Sequence, residues 1–282
     1  MDIGSYKQYC KENFGSNEWG GMIEDKRKRP QIPAVTIVES ISEASVFGQK
    51  TLLGMDGFLR APETVRYYGS NRQIVASDTT LERVTAGLKR SSIQAIGYDV
   101  IDKADQEHLF DLGLPSGRKL RFGVIDGHWA GGIWASVLAV YGKSLGVVDF
   151  ERYAGYGQEL EASRKVQKRA FEKLGKGFFG IVAGDGLYAT QEDFQLCLNH
   201  GSHLLVKTDE ETLTVVQDAK CLFRSSAAAR MNRVCHQKGH DPKRRLDYEV
   251  TWTEGLAWQG LVLSVAWVKE WALNTKTGLV EH

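Results

Sequence analysis

No apolar run in this chain is long enough to cross a bilayer: the longest, Gly255 to Val268, is interrupted by Gln259. The opening residues, Met-Asp-Ile-Gly-Ser-Tyr-Lys, lack the charged and apolar regions of a secretion signal. The four cysteines, Cys10, Cys197, Cys221 and Cys235, have no framework spacing, so a disulfide scaffold is disfavoured and reduced thiols in a cytoplasmic protein are expected. Charge of one sign is also missing. Thirty-six basic and 35 acidic residues leave a net charge of +1, which argues against wholesale nonspecific attraction to nucleic acid. There is no Gly-x-x-x-x-Gly-Lys-[Ser/Thr] phosphate loop, and Gly113-Leu-Pro-Ser-Gly117 has the wrong spacing for a nucleophile elbow. Gly155-Tyr-Gly157 lacks the third glycine of a dinucleotide fingerprint, and Cys221, Cys235, His236 and His240 lack the close cysteine pair of a structural zinc site.

What is present is an ordinary hydrophobic content, 42% over 282 residues, enough to bury a full core in more than one compact unit. Residues 1–111 read as a helical region: between Ile32 and Arg90, Ile37, Ile41, Val46, Leu52, Leu53 and Phe58 recur at spacings near three to four. Ala61-Pro62 interrupts this run, and Ser77-Asp78 is an N-cap signal for a helix through Leu88. Leu112-Gly-Leu-Pro-Ser-Gly117 is a turn-rich linker.

Residues 112–223 change period. Leu120, Phe122 and Val124 alternate in a strand that ends at Asp126. Two further strands, Ile133 to Tyr141 and Ser144 to Tyr153, complete a meander. Gln158 to Leu174 is then a charged amphipathic helix, Phe178 to Ala183 a buried strand, Gln191 to His200 a helix and His203 to Lys207 a strand, before a helical stretch to Phe223. A meander followed by strand-helix crossovers predicts an α/β fold with a mixed sheet covered by helices. Right-handed crossovers allow the fourth strand to lie beside the first, with Asp185 next to Asp126. Residues 224–282 read as a basic loop and an antiparallel β subdomain, with strands at Leu246 to Trp252 and Leu261 to Val268 and a further pair around Lys276-Thr-Gly278.

The chemistry concentrates on two aspartates, each at the end of an apolar run and followed by glycine: Val124-Ile-Asp-Gly127 and Gly184-Asp-Gly-Leu-Tyr188. Either alone is a turn residue by default, because Asp and Gly are both favoured in turns. Together on neighbouring strand ends, Asp126 and Asp185 suit Mg²⁺ or Mn²⁺, and two such ions activate the attacking water and stabilise the leaving oxygen in phosphodiester cleavage. Basic residues cluster at Lys26-Arg-Lys-Arg-Pro30 and from Lys220 to Arg245, each a solvated face on charge alone. Trp252, Trp258, Trp267 and Trp271 read as the core of the tail sheet rather than as base-stacking residues.

These residues resemble bacterial insertion-sequence transposases of the DDE type. The similarity runs over most of the chain, through Leu53-Gly-Met-Asp-Gly-Phe-Leu-Arg60, Ser77-Asp-Thr-Thr-Leu-Glu-Arg-Val84, Val124-Ile-Asp-Gly127 and Gly157-Gln-Glu-Leu-Glu-Ala162. The most specific match is Asp185-Gly-Leu-Tyr-Ala-Thr190 with Cys197-Leu-Asn-His-Gly-Ser-His-Leu-Leu-Val-Lys207. The resemblance implies a ribonuclease-H-like core, with Asp126 and Asp185 as the first two of three acids holding two Mg²⁺ (or Mn²⁺) ions. It also implies double-stranded DNA as partner, at transposon ends and target, and a homodimer. Lys207 is then placed near the acids, and Arg224, Arg230, Arg233, Lys243, Arg244 and Arg245 on the DNA backbone in a β insertion. The family's third acid, a glutamate on a helix after that insertion, has no counterpart before His282: Glu249, Glu254, Glu270 and Glu281 all fall in strand-like or turn-like stretches. A truncated transposase is therefore expected, with a catalytically inactive, transposase-derived DNA-binding protein as the alternative. A ribonuclease-H-like nuclease with fewer acids is a third reading.

Overall fold

The computed structural model describes the chain apart from residues 1, 26, 70–72, 115, 131, 156, 209–211, 225–232, 239–243, 275–279 and 282. Of residues 130, 233–238, 244–247, 272–274 and 280–281 it describes the backbone alone. The chain forms two compact units, one of Met1–Tyr188 with Asp193–Val206, the other of Ala189–Glu192 with Lys207–His282.

The first unit begins with helices whose ends follow from local chemistry. In α1 (Ile3–Phe14) the Asp2 carboxylate accepts from the Ser5 amide, and Gly15 closes the helix at φ +58°, a conformation that favours glycine. The helix α2 (Ala34–Val46) starts where Asp25, gripped by Arg27, accepts from the Ala34 amide. Thr51 caps α3 (Leu52–Arg60), and Pro62 opens α4 (Pro62–Tyr68) at a position where its missing N–H costs nothing. Ser77 caps α5 (Asp78–Gly87) by accepting from the Thr80 amide, as its sequence predicts. Ile37, Leu59 and Leu81 are fully buried where α2, α3 and α5 meet.

Helix α6 (Arg90–Gln106) runs past the Arg90 limit of the helical pattern and packs onto the sheet. After a short hairpin of β1 (Leu112–Gly113) and β2 (Lys119–Leu120) come β3 (Phe122–Ala130), β4 (Ile133–Tyr141) and β5 (Leu145–Tyr153). Then follow α7 (Glu159–Leu174), β6 (Ile181–Gly184), α8 (Gln191–Asn199) and β7 (His203–Val206). The five-stranded sheet has the order β5-β4-β3-β6-β7. Its first three strands are antiparallel, whereas β3 pairs with β6 and β6 with β7 in parallel. This is the mixed α/β sheet expected from the strand order, with β6 beside β3.

In the five-stranded sheet two strand limits differ from their sequence reading by three residues or more. Strand β3 does not stop at Asp126 but continues to Ala130, because its antiparallel ladder with β4 outruns its parallel ladder with β6, which ends at Val124 opposite Ala183. Strand β6 starts at Ile181 rather than Phe178. Phe178 and Phe179 are buried in the connection, where the aromatic rings pack against each other and Phe179 against Phe171 of α7. A continuous apolar run thus reflects burial here, not strand.

Helices α6, α7 and α8 share one core with Ile125, Leu138, Val140, Val148 and Val182 on one sheet face. Val124, Tyr141, Leu145, Val147 and Leu205 alternate with those positions and are exposed on the other. A buried polar network joins α6 and α7 to β5. Asp149 is 1% exposed and accepts from Gln94 Nε2 (2.6 Å), Tyr98 Oη (2.9 Å), Arg169 Nε (2.9 Å) and the Phe150 amide (2.7 Å).

The second unit contains α9 (Thr214–Arg224) and a four-stranded antiparallel sheet in the order β11-β10-β9-β8: β8 Arg233–Lys238, β9 Arg244–Trp258, β10 Leu261–Asn274, β11 Val280–Glu281. Strands β9 and β10 form one long hairpin around Gln259-Gly260, both at positive φ (48° and 78°), as a tight two-residue turn demands. The apolar stretch broken by Gln259 is therefore two strands meeting at a turn. Trp258 is buried, while Trp267 is partly exposed with its ring against Phe223 and Lys269 over its face.

Candidate metal centre

Asp126 lies within β3, and Asp185 directly follows β6, its parallel neighbour. Val124 pairs with Ala183, and each aspartate lies two residues further on. By alternation Asp126 projects from the face opposite α7, and both aspartates are exposed. Among the described residues neither enters an ion pair. Asp185 Oδ1 accepts from the Leu187 amide at 3.0 Å, which closes the tight turn Gly186–Tyr188 and fixes the carboxylate. Its turn role and its availability to a ligand are thus compatible.

Gly127 serves another purpose than the turn expected after Asp126. Strand β3 runs straight through it, and a side chain there would overlap the carboxylate of Glu159, which lies over the strand from the first turn of α7. Glu159 accepts from Tyr188 Oη at 2.9 Å and from Tyr153 Oη at 3.2 Å. Burial, and then the negative charge and hydrogen bond of Glu159, push the Tyr153 phenol up to about 12, and Asp126 adds to this effect. Tyr188 is raised as well, first by burial and then by Glu159, with Asp185 contributing. The two tyrosines therefore feel Glu159 together with one aspartate each.

Glu159 is the residue that sequence reasoning missed at this site. The available signal was its place in Gly157-Gln-Glu-Leu-Glu-Ala162, where an acid in the first helical turn also complements the helix dipole. Glu161 in the same turn is exposed and pairs with Lys165, so only the fold separates the two.

Among the described residues no group of three or more His, Cys, Asp or Glu side chains is arranged to hold a metal ion. Two open carboxylates nevertheless fit Mg²⁺ by donor chemistry, since that ion commonly takes one or two carboxylates and keeps several waters. Both oxygens of Glu159 are engaged by tyrosine hydroxyls, so it adds negative charge rather than an open ligand.

The expected DNA contacts are less well placed. Lys207 is exposed, directly follows β7 and belongs to the second unit, as does Arg224, the exposed last residue of α9. Arg230 and Lys243 lie outside the described residues, and so do the side chains of Arg233, Arg244 and Arg245, whose backbones belong to β8 and β9. The basic run before Pro30 borders a cavity of about 620 Å³ among the helices, where Arg27 is held by Asp25 and Lys28 is exposed. No helix among the described residues is long and apolar enough to cross a membrane. No protein-family model matches the chain, and no curated protein matches it.

Proposed function

We propose that this chain is a DNA transposase of the DDE type with a ribonuclease-H-like core, in which Asp126 and Asp185 bind the divalent cations of phosphodiester hydrolysis and strand transfer. The observation that carries this reading is the parallel β3–β6 register, which sets two exposed, unpaired aspartates side by side on rigid strands. Buried Asp149 and Asp193 are each met by an arginine, whereas among the described residues Asp126 and Asp185 enter no ion pair. A bound Mg²⁺ or Mn²⁺ would lower the pKa of an attacking water and neutralise charge developing on the phosphate. Within the chain, Asp185 is held by its amide contact, Asp126 by the ladders on both sides of β3, and Glu159 by its two tyrosines. The partner would be duplex DNA at element ends and target, and joining two ends calls for a homodimer.

A second reading, a DNA-binding protein of transposase origin without catalysis, is favoured by one observation: among the described residues no third open acid joins Asp126 and Asp185. Nicking of supercoiled plasmid with Mg²⁺ or Mn²⁺ separates the two. The enzyme reading requires nicking that disappears in Asp126→Asn and Asp185→Asn. Gel-shift binding that survives both substitutions, without nicking in the parent chain, would establish the second.

A further inference from the structure

The two aspartates are held in place by different means. Asp126 sits inside β3, where it pairs with Val137 of β4. Asp185 lies one residue beyond the last rung of its ladder, Gly184 opposite Val206. Its place is set by the turn Gly186–Tyr188, in which the Leu187 amide donates to Asp185 Oδ1 at 3.0 Å and the Tyr188 amide to the Asp185 carbonyl at 3.2 Å. A single 3₁₀ turn has poor hydrogen-bond geometry and little rigidity of its own. The Tyr188 side chain, fully buried, supplies the anchor.

Its ring passes the end of β6 because Gly184 has no side chain: a Cβ there would lie 2.6 Å from the ring. The hydroxyl reaches α7, where Glu159 Oε1 is at 2.9 Å and Ser163 Oγ at 3.0 Å, and Ser163 Oγ is in turn 2.8 Å from Ser136 Oγ of β4. Counting protons fixes the direction of these bonds. The Glu159 carboxylate only accepts, so Tyr188 gives its one proton there, Ser163 must donate to Tyr188, and Ser136 to Ser163. The second oxygen of Glu159 accepts from Tyr153 of β5. One chain of donors thus links the Asp185 turn to β4, β5 and α7, and each bond polarises the next. Ser136, Ser163 and Tyr188 are fully buried, so these hydroxyls have no water to turn to. Packing alone would be met by phenylalanine at position 188.

We propose that Tyr188 and Glu159 are positioning residues for the candidate metal centre: the bond between them fixes the Asp185 turn against α7 and so holds the Asp185 carboxylate at a constant separation from Asp126. This rests on the metal-binding reading and deepens it. An ion such as Mg²⁺ demands near-ideal octahedral geometry, so a ligand on a loose turn binds it weakly. Helix α7 suits the task because its first turn already lies against Gly127, the residue after Asp126. Neither Tyr188 nor Glu159 needs to touch the ion; both act through Asp185.

Tyr188→Phe keeps the ring and removes the hydroxyl. In the absence of metal, hydrogen exchange at the Leu187 amide should then speed up about tenfold more than at Ile125 or Val182, and the Kd for Mn²⁺, read by calorimetry, should rise about tenfold. Glu159→Ala should reproduce both changes with the Tyr188 ring still in the core, and it decides the matter where Tyr188→Phe does not fold. Glu159→Gln retains a carbonyl oxygen for the Tyr188 proton and should restore both parent values, which a role for Glu159 through its charge would not give. Unchanged Leu187 exchange in the two loss variants overturns the anchor, as does uniform acceleration across β3, β6 and the turn, the mark of a network that serves stability alone. Faster Leu187 exchange with unaltered Mn²⁺ affinity overturns the positioning role. A parent chain that binds no Mn²⁺ overturns the metal reading, and the exchange rates, read without metal, still decide whether Tyr188 anchors the turn.

Discussion

The helix-covered face of the five-stranded sheet and its open face treat aspartate in opposite ways. On the covered side, Asp149 and Asp193 are buried, and each is met by an arginine: Arg169 Nε at 2.9 Å from Asp149, and Arg164 through Nε and Nη2 at 2.8 and 2.9 Å from Asp193. On the open side, Asp126 and Asp185 stand exposed without an ion pair. A carboxylate buried for structural reasons must bring its counter-charge, because an unpaired buried charge costs several kcal/mol. A carboxylate kept in water beside another acid forms no ion pair that would support the fold, and its neighbour's charge opposes it. The difference identifies which acids are available to an external cation.

The largest effect that could break this comparison is on stability. Asp149→Ala removes the buried acceptor shared by Gln94, Tyr98 and Arg169, and Asp193→Ala the carboxylate that meets Arg164 at two points; each should cost about 3–5 kcal/mol, read from urea unfolding. A loss below about 1 kcal/mol would show that the covered acids are not structural in this sense. Asp126→Asn and Asp185→Asn should leave the urea midpoint nearly unchanged while reducing metal-dependent nicking by about a hundredfold or more, as expected when a metal ligand is lost. If these substitutions unfold the protein instead, the distinction between the two faces fails.

A third substitution sharpens the boundary between the faces. Gly127→Ala drives a methyl group into the Glu159 carboxylate and should destabilise by about 1–3 kcal/mol. Gly127→Ala with Glu159→Ala should recover most of that loss in a double-mutant cycle; additive costs would mean that the glycine is needed for something other than the close approach.

The smallest predicted effect concerns a buried acid without a full partner. Glu43 on α2 is 4% exposed, its Oε2 makes no hydrogen bond, and burial pushes its carboxyl up to about 7 from 4.5, with Lys7 opposing and Glu39 adding to the shift. Tyr6 and Cys10 of α1 also face it. A carboxyl whose pKa is raised by folding holds its proton more tightly in the folded state. Its contribution to stability is complete below the ordinary value and is lost as pH rises from about 4.5 to about 7. Melting temperature should fall over that window, and Glu43→Gln should flatten the curve. An unchanged slope in the variant would place the titration elsewhere.

Much of the five-stranded sheet and its helices was legible because it rests on local rules. The alternation in Phe122–Val124, the meander and the amphipathic run before Gly175 all gave elements close to those observed. The right-handed crossover rule was enough to bring β6 beside β3. Misreadings arose where burial and strand look alike: Phe178 and Phe179 are apolar because α7 covers them, not because they pair. Asp126 was read as a strand end because a following glycine signals a turn. Here the glycine answers to Glu159, a residue over thirty positions away in sequence that periodicity does not connect to it.

By itself, the amino-acid sequence determined the helical N-terminal part, the strand-helix alternation and the two aspartates, because capping and period act over a few residues. Only the tertiary structure decided which acids are paired and which are open, that Glu159 lies over Gly127, and that Trp129 and Trp134 lie exposed at their end of the sheet. Those outcomes depend on ladder register and on where α7 begins above the strands, and both are set by packing between segments distant along the chain.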